Sequence, residues 1–316
     1  MPTADPMKVS VCMTAYNQEG FISQAIEGVL MQKTSFPIEL QIGDDCSTDD
    51  TGIICRDYAS RFPEIVKYHR RDRNLGMMPN FLETLGACDG RYIAWCEGDD
   101  YWIDENKLQI QADLLESRDD LSLACHNHYF LTNGKLIKAN VKIHDDFKVL
   151  TTEDYLLDPH FQTASYFIRR TALPEAFPGW YREVLAGDHF LVLLLSMKGN
   201  IGYFNKRMSV FRTYSTSVTG IKGPLRIKEN FVHHLAAFDE ETGNKFSYPI
   251  NTVVNRWNLV YKVYEPVGYF QKLSFFLRNI PFYIRNFRRV GGIKLMAKYF
   301  FTAEIFDRVK SILKRV

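Results

Sequence analysis

Several things are missing from this sequence, and each absence closes off a class of function. The six cysteines, at positions 12, 46, 55, 88, 96 and 125, include no C-x-x-C pair, which excludes a zinc ribbon. Several of them fall inside apolar runs, as reduced buried thiols do, and this fits a reducing compartment better than a secreted disulfide scaffold. No G-x-G-x-x-G follows the first predicted strand, and no G-x-x-x-x-G-K-[ST] occurs. A nucleotide bound here would need another source of diphosphate neutralisation, a metal foremost. The longest aliphatic run, Phe190 to Leu195, falls far short of the roughly 20 residues of a membrane-spanning helix. The opening Met-Pro-Thr-Ala-Asp-Pro has no basic n-region and no apolar h-region, so no signal peptide is expected. There is no internal repeat and no low-complexity tract.

What is present points to a folded core with an unusual end. At 316 residues, the natural division is a core domain of about 200–250 residues plus a smaller appendage. The hydrophobic share of 46% is high enough that most of the chain should fold. The net charge of +2 hides a split. Residues 266–316 carry eleven Lys/Arg against two Asp/Glu, a balance of +9, which leaves −7 for residues 1–265. A basic tail on an acidic body suggests an anionic surface as partner.

Strand-like and helical patterns alternate over the first 130 residues. Lys8 to Met13, Ile38 to Ile42, Ile65 to Tyr68 and Tyr92 to Cys96 read as strands. Glu19 to Gln32, the stretch after Ser47-Thr48-Asp49 through Arg61, Met77 to Cys88 and Lys107 to Leu115 read as helices. This β-α-β-α order predicts an α/β fold with a mostly parallel sheet covered by helices. Further on, strands are expected at Ala164–Arg169 and Met208–Arg212, a helix at Asp188–Met197, and mainly helix from 224 onward.

In such sheets ligands bind beyond the carboxyl ends of the strands. Three predicted strand ends carry distinctive polar residues: Thr14-Ala15-Tyr16-Asn17, Asp44-Asp45, and Glu97-Gly98-Asp99-Asp100. Three acids within four residues repel one another, so a cation is the obvious compensator. Hard oxygen ligands suit Mg²⁺ or Mn²⁺. On residue types alone, a solvated turn capping the next helix explains the same cluster equally well, and Asp-Cys-Ser-Thr-Asp-Asp has a capping composition too. Asp188 has its own plain explanation as the N-cap of a helix over 189–197. His126-Asn-His128 could set both imidazoles on one strand face, but without a third ligand the pattern reads as structural.

The order and spacing of these blocks add a specific resemblance. Val9 to Asn17, Asp44 to Asp49, Asn74-Leu-Gly76 with Asn80, and Gly90-Arg-Tyr-Ile93 leading into Glu97-Gly-Asp-Asp100 resemble the family 2 glycosyltransferases over about residues 8–220. The resemblance implies an inverting enzyme of the GT-A fold, Rossmann-like, with a helical appendage beyond it: residues 1–225 as the transferase domain and 226–316 as the appendage. It implies that Thr14, Ala15, Tyr16, Asn17, Glu19, Asp45, Asn74, Glu97 and Asp99 bind the nucleotide sugar. Thr14 and Tyr16 would line the base and ribose pocket, and Asp45 would hydrogen-bond the base. Asp99 would ligate a divalent metal, Mn²⁺ or Mg²⁺, on the donor diphosphate, and Asp100 would support the acceptor side. Asp188 matches the family's general base. Asn74 and Asn80 would either contact the donor or fix a loop, and Gln162-Thr163-Ala164-Ser165 matches a segment near the acceptor cleft. Two departures stand out: Glu97 where Asp is usual, and Tyr214 after Arg212-Thr213 where relatives often carry a metal-supporting His.

The implied function is transfer of a sugar, from a UDP-sugar by preference, to a hydroxyl of a glycan or lipid-linked saccharide in cell-surface polysaccharide synthesis. The alternatives are a sugar-nucleotide-forming nucleotidyltransferase and a non-catalytic binding protein on the same fold. The nucleotidyltransferase would be expected to show a glycine-rich basic loop after the first strand, and Tyr16-Asn-Gln-Glu19 is not one. Residues 266–316 interleave eleven aromatics with their basic residues, the make-up of amphipathic helices at an anionic membrane interface. A cytoplasmic protein, peripheral on the membrane, is therefore expected, with no nucleic-acid partner, since no recognised motif accompanies the charge. The competing explanation of the tail is a helical cap on the core or on a second subunit.

Overall fold

The computed structural model describes residues 8–141, 143–158, 161–213 and 224–261. Tyr214 and the basic, aromatic segment 266–316 lie outside the described residues. The chain separates into two compact units, residues 1–218 and 219–316.

The first unit opens with the predicted alternation: β1 (Val9–Ala15), α1 (Ile22–Leu30), β2 (Ile38–Asp44), α2 (Thr51–Arg61), β3 (Val66–Arg70), α3 (Met77–Gly86) and β4 (Tyr92–Trp95). These four strands lie side by side and parallel in the order β3-β2-β1-β4. β1 is central and buried along nearly its whole length, which explains why it is apolar on both faces. On α1, the buried Ile22, Ala25, Ile26 and Val29 form the i, i+3, i+4, i+7 stripe of a core-facing helix. The helix starts at Ile22 rather than Glu19 because Glu19 is tied into the loop. Its N–H donates to Asp49 Oδ2 (3.0 Å), and its own carboxylate accepts from the Asp50 N–H (2.9 Å).

The rest of the unit comprises β5 (Tyr101–Trp102), α4 (Lys107–Ser117), β6 (Leu121–Thr132), β7 (Lys135–Lys138), β8 (Phe147–Leu150), α5 (Thr152–Leu157), β9 (Phe167–Arg169), α6 (Gly187–Ser196) and β10 (Asn200–Thr213). The sheet continues β4-β9-β6-β10-β5. β9 runs antiparallel to both β4 and β6, β10 is parallel to β6, and β5 is antiparallel to β10. The expected parallel character thus holds for the first four strands and gives way to a mixed half-sheet. β10, predicted over 208–212, extends over 14 residues. Its register against β6 shifts on either side of Arg207, which breaks the alternation that would have betrayed its first half.

Lys107 is fully buried where α4 meets the mixed half. Its Nζ lies 4.1 Å from the centroid of the Trp102 ring and donates to Gln111 Oε1 (2.7 Å). Gln111 in turn donates to the carbonyls of Ala124 and Ser165. Burial alone pushes this ammonium down to about 7.

The described part of the second unit is a helical hairpin, α7 (Pro224–Glu241) and α8 (Ser247–Tyr261). Gly243 and Asn244 reverse the chain with positive φ. Asp239 fastens the turn by accepting from the Phe246 N–H (3.0 Å) and the Ser247 hydroxyl (2.5 Å). Phe231 stacks on Trp257, with ring centroids 4.4 Å apart. Among the described residues, no helix is long and apolar enough to cross a membrane.

Candidate active site

The three predicted strand ends converge. β1 pairs with β2 on one side and β4 on the other, so all three carboxyl ends open on one edge of the sheet. Backbone bonds join the loops beyond them: Gly98 N–H donates to the Thr14 carbonyl (3.0 Å) and Asp45 N–H to the Ala15 carbonyl (2.9 Å). At Gly98 a Cβ would sit 2.4 Å from Gln18 Oε1 and 2.6 Å from Ile22 Cδ1, so those side-chain ends would have to shift.

Most of the predicted nucleotide-binding residues on the β1 and β2 side are bound to one another. Asn17 adopts φ +52°, donates its N–H to Ser47 Oγ (3.0 Å) and accepts from the Thr48 N–H (2.8 Å). Asp44, fully buried, accepts from Ser47, from the Tyr68 hydroxyl (2.6 Å) and from Arg70 (3.0 Å). Asp45 takes the N–H groups of Leu75 (2.7 Å) and Gly76 (2.9 Å), one on each oxygen, and so pins the loop that carries Asn74. The Asn74 side chain accepts from the Gly76 N–H (3.1 Å). Asn80 donates to the Gly43 carbonyl and accepts from Arg71, which resolves its two readings in favour of fixing the loop. Asp49 Oδ1 accepts from the Thr51 N–H (3.0 Å), so the expected capping of α2 falls to this carboxylate. Tyr16, 46% exposed, offers a ring face to a ligand.

The acidic cluster sits where β4 ends. One carboxylate oxygen each from Glu97, Asp99 and Asp100 lies within 4.8 Å of the others. Asp100 is buried; its Oδ1 accepts from the Arg212 N–H (2.9 Å), while its Oδ2 has no hydrogen-bond partner. Burial first, then Asp99 and Glu97, hold the Asp100 carboxyl well above its ordinary range, with Arg212 opposing. Burial, then Asp99 and Asp188, push Glu97 up to about 8, against a hydrogen bond from Thr163. Three mutually repelling carboxyls with one orphaned buried oxygen fit a hard divalent cation. A solvated capping turn does not leave a carboxylate oxygen buried and bare.

Asp188 approaches from the other half of the sheet. The structure corrects its expected place: the N-cap of α6 is Ala186, and Asp188 stands in the first turn. Burial raises its carboxyl, and the backbone N–H groups of His189 and Asp188 itself pull it back. Its charge helps to raise the Glu97 carboxyl. Thr163, in the segment matched near the acceptor cleft, donates to Glu97; Arg212 was not singled out from the sequence as a site residue. Arg212 donates through its guanidinium to the Asp99 carbonyl and to Gln24 Oε1, and stacks over Tyr101 at 4.5 Å. It thereby clamps the acidic loop to β10. No spacing rule links position 212 to position 99; the pairing of β10 with β5 creates the contact.

Known proteins are similar to this chain in sequence and fold. The profile of the family described as "Glycosyl transferase family 2" matches residues 10–177. The Mycobacterium tuberculosis protein Rv1520 is 32% identical over 216 residues, 66% of this chain and 60% of that protein. The chain thus spans about 60% of the length of the first curated relatives it matches. The Escherichia coli UDP-Glc:alpha-D-GlcNAc-diphosphoundecaprenol beta-1,3-glucosyltransferase WfgD is 27% identical over 202 residues, 64% of this chain and 74% of that one. In fold, the mannosyltransferase PcManGT of Pyrobaculum calidifontis, solved with GDP-Man and Mn²⁺, superposes with a TM-score of 0.61 at 15% identity, covering 100% of this chain and 89% of its own. With its parallel half-sheet, its acidic turn beyond β4 and this match over more than half its length, the chain belongs to the family 2 glycosyltransferases and has the GT-A fold.

Proposed function

We propose that the protein transfers a sugar, with inversion, from a nucleotide-sugar donor to a hydroxyl of a glycan or lipid-linked saccharide, in the building of cell-surface polysaccharide. The observation that carries this reading is the convergence of Glu97, Asp99 and Asp100 within 4.8 Å beyond the end of β4; the Asp188 charge that helps to raise Glu97 supports it. Thr14, Ala15, Tyr16, Asn17 and Glu19 form the donor side, with the Tyr16 ring available to the base or ribose. Asp45 and Asn74 shape that wall by holding the loop at Gly76, and the second lone pairs of the Asp45 carboxylate remain for a base N–H. A UDP-sugar is favoured because WfgD uses one.

Asp99 would hold Mn²⁺ or Mg²⁺ together with Glu97 or the bare oxygen of Asp100. When bound, the metal supplies charge stabilisation on the leaving diphosphate. Asp188 takes the proton of the acceptor hydroxyl as that oxygen bonds to the anomeric carbon and the bond to the nucleoside diphosphate breaks. A single displacement inverts the centre and needs no enzyme nucleophile. The raised carboxyl of Asp188 makes it a better base than an exposed aspartate. Asp100, fixed to Arg212, sets the position of the acidic loop. Residues 266–316 would dock the enzyme peripherally on the anionic inner face of the membrane, where a lipid-linked acceptor is presented; their eleven basic residues support this.

Calorimetric titration of UDP, with and without Mn²⁺, tests the donor site on the wild type and on Asp99→Ala. Metal-dependent binding that the substitution abolishes is the expected result. Absence of binding for UDP, GDP and dTDP alike would overturn the reading and leave a non-catalytic protein on this fold.

A further inference from the structure

The hairpin of β6 and β7 leaves an apolar edge in solvent. β7 pairs with β6 alone, in a register that sets Leu136 against Leu131 and Ile137 against Phe130. Every residue of β7 is exposed, Leu136 by 57% and Ile137 by 52%. Successive residues of a strand point to opposite faces, so each face of this edge presents a large aliphatic side chain. Lys135 and Lys138 flank the pair. From Leu121 to His144 the sequence holds Lys135, Lys138 and Lys142 and no Asp or Glu. The next acids, Asp145 and Asp146, lie back towards the middle of β6. There the Asp146 carbonyl accepts from the Asn205 N–H (2.9 Å), and Asn205 Oδ1 accepts from the Asn127 side chain (2.8 Å).

The topology fixes where this edge lies. β9 is antiparallel to both β4 and β6, and β10 is parallel to β6. The carboxyl ends of β6 and β10 therefore open on the same side of the sheet as the acidic turn after β4. Leu136, Leu131 and Arg212 are in register across three strands. That puts β7 two strand spacings, about 10 Å, from the residue of β10 that bonds Asp99 and Asp100. Lysines by themselves would blunt a free sheet edge. They do not account for two aliphatic side chains bared on opposite faces. A protein laid on one face would cover one of the pair and leave the other in water. A bilayer interface surrounds what enters it and takes both, while the lysine stems lie along the acyl boundary and the ammonium groups meet lipid phosphates. We propose that the β6–β7 hairpin is a bilayer contact, in which Leu136 and Ile137 enter an interface of anionic lipid and Lys135 and Lys138 pair with its headgroups. This contact is separate from the one read into residues 266–316. It stands on the hairpin itself; only its purpose, holding the acidic turn near a lipid-linked acceptor, rests on the transferase reading.

A polarity-sensitive fluorophore on the full chain tests this at the hairpin and not at the tail. It is attached to Leu136→Cys in a Cys46→Ser background, since the other five cysteines are buried. The probes are vesicles of phosphatidylcholine, alone or mixed with phosphatidylglycerol. Emission from position 136 is expected to shift to the blue on the mixed vesicles only, while the same label on Ile53→Cys, exposed on α2, stays water-like. In vesicle co-sedimentation, Lys135→Gln/Lys138→Gln should bind about 25-fold more weakly, about fivefold for each lysine. Leu136→Ser/Ile137→Ser should bind about tenfold more weakly or worse; if that variant fails to fold, the lysine pair carries the test. A label at position 136 that stays water-like, equal binding to both vesicles, or lysine variants that bind as the wild type does overturns the proposal. So does a shift without vesicles that grows with protein concentration, which would mean that a second copy covers the edge, or a shift with dextran sulfate but not with vesicles, which would mean an acidic polymer. UDP titrations on the same proteins keep the two readings apart. If UDP binds and the hairpin stays in water, the bilayer contact falls and the transferase reading stands. If the hairpin enters the bilayer and no nucleotide binds, the reverse holds.

Discussion

The two halves of the sheet differ in how many buried polar atoms they leave bare: Trp95 Nε1 and, in the loop after β1, Gln18 Oε1 on the parallel side, and a larger set on the mixed side. In the parallel half, β3-β2-β1-β4, the polar side chains at the strand ends are largely bonded to protein. Asp44, Asp45, Asn17 and Asn80 all anchor neighbouring loops. In the mixed half, buried polar atoms are left bare: both nitrogens of His128, His126 Nε2 and Ser209 Oγ, with Asp100 Oδ2 on the seam. A saturated wall is rigid before any ligand arrives and provides shape. Bare buried atoms cost stability.

The sharpest way to separate the halves is Asp188→Asn. It removes the base while keeping the shape, so transfer should fall about 10²–10⁴-fold, with metal-dependent UDP binding unchanged by calorimetry. If UDP binding fell as well, the two sides would not be separable.

Asp44→Ala probes the saturated wall. It strips partners from Ser47, Tyr68 and Arg70 and should cost about 3 kcal/mol of folding stability, read from the urea midpoint. Gly98→Ala acts on the seam. Its methyl would press on Gln18, Ile22 and the Thr14 carbonyl, costing about 1–3 kcal/mol and weakening Mn²⁺ binding as the acidic loop shifts.

A pH slope probes the mixed half. Lys107 releases its proton near pH 7 when folded but only near pH 10.4 when unfolded. Between those values the unfolded chain binds more protons, so this group makes stability rise with pH. Lys107→Met should remove that contribution, so the stability difference between the variant and the wild type should shrink steadily from pH 7 to pH 10. A difference that stays constant with pH would mean the ammonium is not buried in solution.

The parallel half was legible because its strands are short apolar runs separated by amphipathic helices, and each run ends in polar residues that periodicity does not absorb. The acidic cluster was legible for the same reason. The mixed half was legible only in part: the predictions at Ala164–Arg169, Asp188–Met197 and Met208–Arg212 match β9, α6 and the end of β10. β6 carries His126, Asn127 and His128 inside a buried stretch, which no alternation rule assigns to a strand. β7 is exposed at every position, and Asn205-Lys206-Arg207 interrupts β10 where its register shifts.

The sequence by itself determined the α/β alternation, the family and the set of carboxylates that carry the chemistry, since these depend on local residue types and on the order of blocks along the chain. Only the tertiary structure decided which carboxylates are free to act. Asp44 is held by Arg70 and Tyr68, and Asp45 also fastens the loop at Gly76, while one oxygen of Asp100 stays bare beside Glu97 and Asp99. The physical reason is that a carboxylate's role depends on which donors and charges surround it, and some of these come from distant residues, Tyr68 24 positions from Asp44 and Arg212 112 from Asp100.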